Sequence, residues 1–193
     1  IKLLPVAALA ALALTAGWRH GARMVTAAAG TLGGIYGAAL AVGWRPVGSL
    51  PVFFEKWRNG SPLFTLLESQ LAGQALLFAL GALAAVAAVL ILFFARRRTI
   101  LAAQIAVATP LLLSPVTFPW YLSALVPLSA LMPSATLLIW LTTSPLIYEV
   151  RDRFVSDGVW MPALWPLVII GVGWIIGLTF DAARYYRRKS KQD

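Results

Sequence analysis

The chain has 193 residues, of which 60% are hydrophobic and only 12% are charged, whereas a soluble globular domain carries about 25% charged residues. This composition, with no cysteine and a mean hydropathy of +0.81, argues against a water-soluble fold and excludes a disulfide-stapled domain, a Cys-ligated zinc module and a disordered tail. The net charge of +9 lies in short clusters between long apolar runs, which is typical of membrane topology and not of nucleic-acid binding.

Apolar runs suited to membrane helices follow one another along the chain. Crossing about 30 Å of hydrocarbon takes roughly 20 apolar residues in a helix. The predicted segments are residues 3–17, 24–43, 71–94, 100–113 with an extension to 118, 119–148 and 162–180. Because the chain starts at Ile1 inside an apolar run, we interpret it as a fragment that lacks its N-terminal part. The sequence predicts an all-α, polytopic transmembrane bundle of about seven membrane segments in a single domain, residues 1–193.

Residues 119–148 are too many for one upright span and too few for two. Two passes, with a turn at Pro133, would gather ten bases and two acids on one side, a net of +8, and six bases and five acids on the other, a net of +1. The positive-inside rule places the basic side in the cytoplasm. We therefore predict two passes, either as two short spanning helices or as a re-entrant hairpin. The outer loops then lie at about 44–70, 114–119 and 149–161, and a cytoplasmic tail lies at 181–193.

The first outer loop contains a short amphipathic pattern. Aromatic side chains at 53, 54 and 57 fall at helical spacing, while the charged side chains between and after them point elsewhere, which suits a segment lying in the membrane interface. Two interpretations stay open for it. The segment is either an interfacial anchor, or Lys56, Arg58 and Asn59 bind the phosphate of a lipid-linked substrate.

The second outer loop is rich in proline and aromatic residues. Pro115 and Pro119 fix an extended turn and leave carbonyl groups that cannot all pair within a helix, so this stretch is expected to border protein or a watery cavity. Trp120 and Tyr121 are either interfacial belt residues or the lining of a sugar or prenyl site. The third loop, with five charged residues between 149 and 157, is either a solvated, salt-bridged loop or the charged rim of a cavity.

Four glycines in the second apolar segment form two Gly-x-x-x-Gly pairs, Gly30 with Gly34 and Gly33 with Gly37. Small residues at this spacing allow transmembrane helices to approach closely. We expect this face to pack against another helix of the same chain, with dimerisation as the alternative.

Three stretches together resemble a known family of membrane enzymes. They are Phe-Phe-Glu-Lys-Trp-Arg-Asn-Gly-Ser at 53–61, Ser-Pro-Val-Thr-Phe-Pro-Trp-Tyr-Leu at 114–122, and Leu-Val-Pro-Leu at 125–128. They are similar to the C-terminal half of bacterial glycosyltransferase C superfamily enzymes, the polyprenyl-phosphate-mannose-dependent mannosyltransferase-like group. Lys2 and Pro5 look like the Lys-x-x-Pro helix of that family. Many relatives have a His immediately before Pro-Trp-Tyr, where this chain has Phe118, so no role of that His is carried over.

The resemblance implies an integral-membrane enzyme of the bacterial cytoplasmic membrane. It would transfer a hexose, mannose in the family, from a polyprenyl-phosphate donor to a lipid or glycan acceptor at the extracytoplasmic face. The catalytic carboxylate of the family lies upstream of Ile1, so no catalytic residue is assigned here. Cationic side chains or a divalent metal ion would stabilise the departing phosphate. The candidate phosphate ligands are Lys56, Arg58 and Arg151, with Asn59 beside them; Trp120 and Tyr121 would face the substrate, and Glu55 and Glu149 would accept hydrogen bonds from sugar hydroxyls.

Two other classes of function stay open, a lipid flippase or transporter and a non-catalytic membrane scaffold. Coupled transporters usually place ionisable residues near the bilayer midplane. The apolar segments here hold only Gln74, Gln104 and scattered Ser and Thr residues, which argues against coupled ion transport. The chain has a single histidine, His20, and no cysteine, so we assign no metal site. It contains no nucleotide-binding motif that would indicate a cofactor.

Overall fold

The computed structural model describes residues 4–45, 48 and 57–190. The described residues contain no β-strand and one isolated bridge between Asn59 and Val116, so the predicted all-α class is confirmed for this part of the chain. Two 3-10 helices, Pro119–Leu125 and Ser144–Tyr148, accompany the α-helices. The α-helices are α1 (Leu4–Thr15), α2 (Trp18–Ala41), α3 (Pro62–Gln70), α4 (Gly73–Ala95), α5 (Thr99–Leu112), α6 (Val126–Leu131), α7 (Ala135–Thr143), α8 (Glu149–Asp157) and α9 (Leu164–Lys189).

Three of the described helices are long and apolar enough to cross a membrane, namely α2, α4 and α9 over Leu164–Arg187. This indicates a membrane protein. The 12 residues of α1 and the 14 of α5 reach only about 18 and 21 Å at 1.5 Å per residue, which is less than the hydrocarbon thickness of about 30 Å. Helix length in the described chain therefore supports three spans and does not support the predicted seven.

Residues 119–148 form a hairpin whose two arms meet at the turn around Pro133, which is where the sequence predicts the turn. The first arm consists of Pro119–Leu125 and α6, and the second consists of α7 and Ser144–Tyr148. A 3-10 helix rises about 2.0 Å per residue against about 1.5 Å for an α-helix, so each arm reaches about 23 Å. Pro119, Pro127 and Pro145 lie at the first positions of their helices, where the missing N–H group costs nothing.

Contacts between loops define two ends of the bundle. At the cavity end, the ring centroids of Trp57 and Trp160 lie 4.7 Å apart. At the arginine end, which comprises residues 96–98, 132–136 and 181–187, the Arg98 guanidinium lies 4.8 Å from the ring centroid of Tyr185. Helix α5 runs from the arginine end to the cavity end, and α9 runs back. Residues from each of the three predicted outer loops, namely Trp57, Phe118 and Trp160, therefore lie at the cavity end.

The main apolar core lies between α5, the hairpin and α9. Its fully buried side chains include Val107, Leu122, Leu125 and Ile170. A second cluster of small residues lets α1, α4 and α5 approach closely; it consists of Ala11, Ala95, Ala102 and Ala103. The buried Gln104 amide donates to the carbonyl groups of Leu128 and Met132 at 3.1 and 2.7 Å. The bond to Met132 pairs a carbonyl group just beyond the end of α6, while the Leu128 carbonyl also accepts from the Met132 N–H at 3.0 Å.

The glycine face of α2 is not packed within the described chain. No atom of another element lies within 4 Å of the Cβ positions at Gly30, Gly33, Gly34 and Gly37. The expectation that these residues pack internally is therefore wrong for the described residues. Helix α2 contacts α1 near its own start, where Gly21 lies against the backbone of Ala13.

Candidate functional site

A cavity of about 430 Å³ opens at the cavity end, and all three predicted outer loops contribute to its wall. Six aromatic side chains, one valine and one arginine line it. Arg151 is the single charged group among these lining residues, and no carboxylate of the described residues lines the wall. The lining residues are Trp57, Phe118, Trp120, Tyr121, Tyr148, Val150, Arg151 and Trp160.

The wall is built on the turn that follows α5. Pro115 has no N–H group, so the carbonyl of Leu111 lacks the donor that a continuing helix would supply. The Thr117 hydroxyl donates to that carbonyl at 2.7 Å. The Ser61 hydroxyl, from the first outer loop, donates to the next carbonyl, that of Leu112, at 2.6 Å. The prediction that this proline-rich stretch borders protein is confirmed, and its partner is the first outer loop.

Two backbone hydrogen bonds join the first and second outer loops. The Asn59 N–H donates to the Pro115 carbonyl at 2.8 Å, and the Thr117 N–H donates to the Asn59 carbonyl at 2.6 Å. Gly60 follows with φ +85°, and a Cβ at this position would overlap the Thr117 carbonyl group. A glycine is therefore required here both by the backbone conformation and by the close approach. Trp57 lies two residues before Asn59, so this joint holds Trp57 at the cavity.

The aromatic rings contact one another around the cavity. Phe118 and Trp120 are stacked with ring centroids 4.3 Å apart and an interplanar angle of 9°. Trp57 contacts Phe118 edge to face at 6.1 Å and packs on Trp160. Such stacked and edge-to-face pairs are favourable arrangements of aromatic quadrupoles. They support a wall of fixed rings, in which half of the Trp120 surface stays exposed.

Helix α8 brings Arg151 to the rim. Glu149, two residues before it, accepts a hydrogen bond from the Ala163 N–H at 2.9 Å and lies 3.9 Å from the Arg153 Nε. Glu149 thereby holds the start of α9 against α8. Arg151 is exposed and makes no ion pair with any described carboxylate. Its guanidinium is therefore available to an anionic ligand that enters the cavity.

The predicted site residues fall into three groups. Trp120, Tyr121 and Arg151 line the cavity, while Glu55 and Lys56 lie outside the described residues. Arg58, Asn59 and Glu149 do not line it. The Arg58 guanidinium binds the carboxylate of Glu68 at 2.8 and 3.0 Å. Asn59 is 1% exposed, and its side-chain amide has no hydrogen-bond partner among the described residues.

Sequence reasoning missed several lining residues, namely Phe118, Tyr148, Val150 and Trp160. It also considered Trp57 only as part of an interfacial segment. One signal for Trp160 was present in the sequence, because Gly158 ends α8 in the left-handed conformation with φ +69° and such a glycine reverses the chain. The reversal returns Trp160 to the cavity, where it packs on Trp57.

The described residues contain no group of three His, Cys, Asp or Glu side chains that could hold a metal ion. What the cavity offers chemically is one guanidinium beside apolar, polarisable ring faces. A guanidinium forms charge-assisted hydrogen bonds to phosphate or carboxylate oxygens. Ring faces pack against the apolar surface of a ligand.

Comparisons with known proteins give no relative. No protein-family model matches the chain, and neither the curated proteins nor the solved structures contain a match.

Proposed function

We propose that the chain is part of an integral-membrane glycosyltransferase that binds a polyprenyl-phosphate hexose, with mannose as the expected sugar, at the cavity end. The hexose passes to a lipid or glycan acceptor at the extracytoplasmic face. The observation that carries this proposal is the single arginine among six aromatic rings at one end of a bundle of apolar helices. A lipid-linked sugar phosphate presents the complementary chemistry, an anion flanked by apolar surface.

The size and composition of the cavity support a small ligand headgroup. A volume of about 430 Å³ lies within the range of roughly 300–1,000 Å³ that is usual for small-molecule sites. Arg151 would bind the phosphate oxygens, since arginine matches phosphate geometry with two parallel hydrogen bonds. The half-exposed Trp120 ring would pack against the apolar face of the hexose.

The proposed membrane position follows from the distribution of charge. The arginine end carries five arginines against one acid, Asp181, so the positive-inside rule directs it to the cytoplasm and the cavity end to the exterior. The shorter apolar helices, α1, α5 and the two hairpin arms, complete about seven membrane segments in this proposal by packing beside α4 and α9.

The described residues of the cavity supply groups that bind the donor, but they supply no group that accepts the proton of the acceptor hydroxyl. Transfer forms a bond between the acceptor oxygen and the anomeric carbon, breaks the bond from that carbon to the phosphate oxygen, and passes the hydroxyl proton to a base. No carboxylate lines the cavity among the described residues, and Glu149 is engaged with the Ala163 N–H. The proposal therefore places the general base elsewhere, in line with the family that the sequence resembles.

The proposal is tested by replacing Arg151 and following label from radiolabelled polyprenyl-phosphate mannose into acceptor, in membranes that contain the full-length protein. Loss of a charge-assisted hydrogen bond of about 1.5–3 kcal/mol predicts a decrease in transfer of about tenfold to a hundredfold for Arg151→Gln. Trp120→Ala is expected to act in the same direction. Arg153→Gln is the matched control, because Arg153 does not line the cavity, and it should retain transfer.

Two results would contradict the proposal. Full transfer in both Arg151→Gln and Trp120→Ala would remove the cavity from the reaction. Movement of intact lipid across the membrane, without transfer of label to acceptor, would instead identify a flippase.

A further inference from the structure

Two basic segments meet at the arginine end. The Arg98 guanidinium lies over the Tyr185 ring at 4.8 Å, and that of Arg97 lies over the Phe93 ring at 5.0 Å. The first contact brings the turn between α4 and α5 to the last turns of α9. We call the resulting surface the arginine patch; it consists of Arg96, Arg97, Arg98, Arg184 and Arg187, all of which are exposed.

The charges of the arginine patch are not neutralised within the described chain. None of its five members forms an ion pair with a described carboxylate. Asp181 is the acid nearest to the patch in the sequence of α9, and its oxygens accept four hydrogen bonds from Ser134, Ala135 and Thr136 at 2.7 to 3.1 Å. That carboxylate is therefore committed to the start of α7. Five positive charges remain for an external anion.

The patch lies where two candidate membrane spans end. Helix α4 is apolar up to Ala95 and is followed directly by the arginines at 96–98, and the apolar part of α9 is followed by Arg184 and Arg187. Tyr185 and Tyr186 are 46% and 70% exposed, and tyrosine is enriched where hydrocarbon gives way to headgroups. With α4 and α9 spanning a membrane, the patch would lie at the depth of lipid phosphates.

We propose that the arginine patch binds the headgroup phosphates of anionic phospholipids in the adjacent leaflet. Arginine forms paired hydrogen bonds to phosphate, and each basic residue near an anionic membrane surface contributes about 1 kcal/mol. The ring contacts of Arg97 and Arg98 orient two guanidinium groups before a lipid arrives. One lipid headgroup between residues 96–98 and Arg184 would link the α4–α5 turn to α9.

The inference is tested by the lipid preference of the purified full-length protein. Native mass spectrometry from detergent micelles, with phosphatidylglycerol and phosphatidylcholine at equal concentrations, measures the ratio of the two lipids bound. The wild-type protein is expected to prefer phosphatidylglycerol. Arg97→Gln/Arg98→Gln should lower the ratio about tenfold to thirtyfold, while Arg97→Lys/Arg98→Lys should retain most of it.

Arg45→Gln/Arg153→Gln is the matched control, since it removes two arginine charges outside the patch, and it should leave the ratio unchanged. A salt titration of the wild-type protein is a second measurement that needs no variant, and added salt should lower the ratio by screening. Equal binding of the two lipids by the wild-type protein, an equal loss in the control, or displacement of the lipid by inorganic phosphate at the same concentration would overturn the inference.

This inference requires only that α4 and α9 span a membrane, and it does not depend on hexose transfer. The two proposals therefore fail separately. Absence of a lipid preference would leave the transfer assay with Arg151→Gln unaffected, and absence of transfer would leave the lipid ratio unaffected.

Discussion

The two ends of the bundle use arginine in opposite settings. At the cavity end, Arg58 binds Glu68 and Arg153 lies near Glu149, and Arg151 stands at the rim of an aromatic wall. At the arginine end, five exposed arginines have no carboxylate partner among the described residues.

In the two proposals, the same residue type serves two kinds of recognition. Many exposed charges on a surface bind a membrane through their sum, and each contributes little. One charge beside fixed rings binds one ligand in one orientation, because the rings hold the rest of that ligand. At the cavity end, the backbone joint between the first and second outer loops fixes the positions of the rings.

We expect the largest loss of stability from Gly60→Ala, which breaks the joint between the first and second outer loops at the cavity end. The new Cβ would overlap the Thr117 carbonyl group at a residue with φ +85°, and the left-handed backbone alone costs about 1–2 kcal/mol for a residue with a Cβ. We expect the free energy of unfolding to fall by about 3 kcal/mol or more once the overlap is added. Thermal unfolding in detergent, followed by tryptophan fluorescence, measures the change.

Gly158→Ala is the matched control for Gly60→Ala. Gly158 has φ +69°, but nothing lies within 4 Å of its Cβ position, so only the backbone cost of about 1 kcal/mol should remain. The difference in the free energy of unfolding between the two variants measures how much the close approach of Gly60 to Thr117 contributes to stability. Equal destabilisation would mean that the approach of the first outer loop to Thr117 contributes nothing.

A smaller effect is expected at the arginine end from Asp181→Asn. The Asp181 carboxylate accepts hydrogen bonds from the Ser134 hydroxyl and from the Ala135 and Thr136 N–H groups at the start of α7. An asparagine amide keeps one acceptor and loses the charge that favours a helix N-terminus. We expect a loss of about 1–2 kcal/mol in the free energy of unfolding, measured by the same thermal unfolding.

The exposed Asp157 provides the control for Asp181→Asn. Asp157→Asn changes the same functional group at a residue that caps no described helix start, and a surface change of this kind usually lies within about 0.5 kcal/mol. If the two variants were equally stable, the contact between α9 and the hairpin would not hold the arginine end together.

The sequence predicted the grouping of elements better than the details of the site. Charge counting favoured two passes of residues 119–148 with a turn at Pro133, and the structure has a hairpin with its turn there. Counting hydrophobic residues could not show that 3-10 segments extend each arm at about 2.0 Å per residue. Nor could it show that Asp181, counted as part of a tail, binds the start of α7, because that contact joins residues far apart in the chain.

The wall of the cavity was predictable only in part. Trp120 and Tyr121 stand beside two prolines that mark an irregular stretch, whereas Tyr148 and Trp160 stand in the ordinary surroundings of helix ends. Small-residue spacing on α2 predicted close packing that the described chain does not contain. Such a pattern indicates which face of a helix can pack closely, but it does not indicate which helix packs there. The partner depends on how the other helices are arranged.

The smallest effect is expected beneath the aromatic wall, from Asn59→Leu. The amide of Asn59 is buried and has no hydrogen-bond partner among the described residues, and an apolar side chain of similar shape avoids the cost of burying a polar group. We expect the free energy of unfolding to change by less than about 1 kcal/mol. Transfer activity should persist as well, because the backbone of Asn59, and not its side chain, joins the two loops.

Asn59→Asp sharpens this result, because it places a charge at the same buried position. A buried unpaired carboxylate is costly, so this variant should be clearly less stable than Asn59→Leu. Should Asn59→Leu keep its stability and lose transfer, the amide would contact the substrate, and the binding site would extend below the rings to the joint of the two loops. The cavity end would then recognise its ligand with a neutral amide as well as with Arg151, which would separate it further from the arginine end.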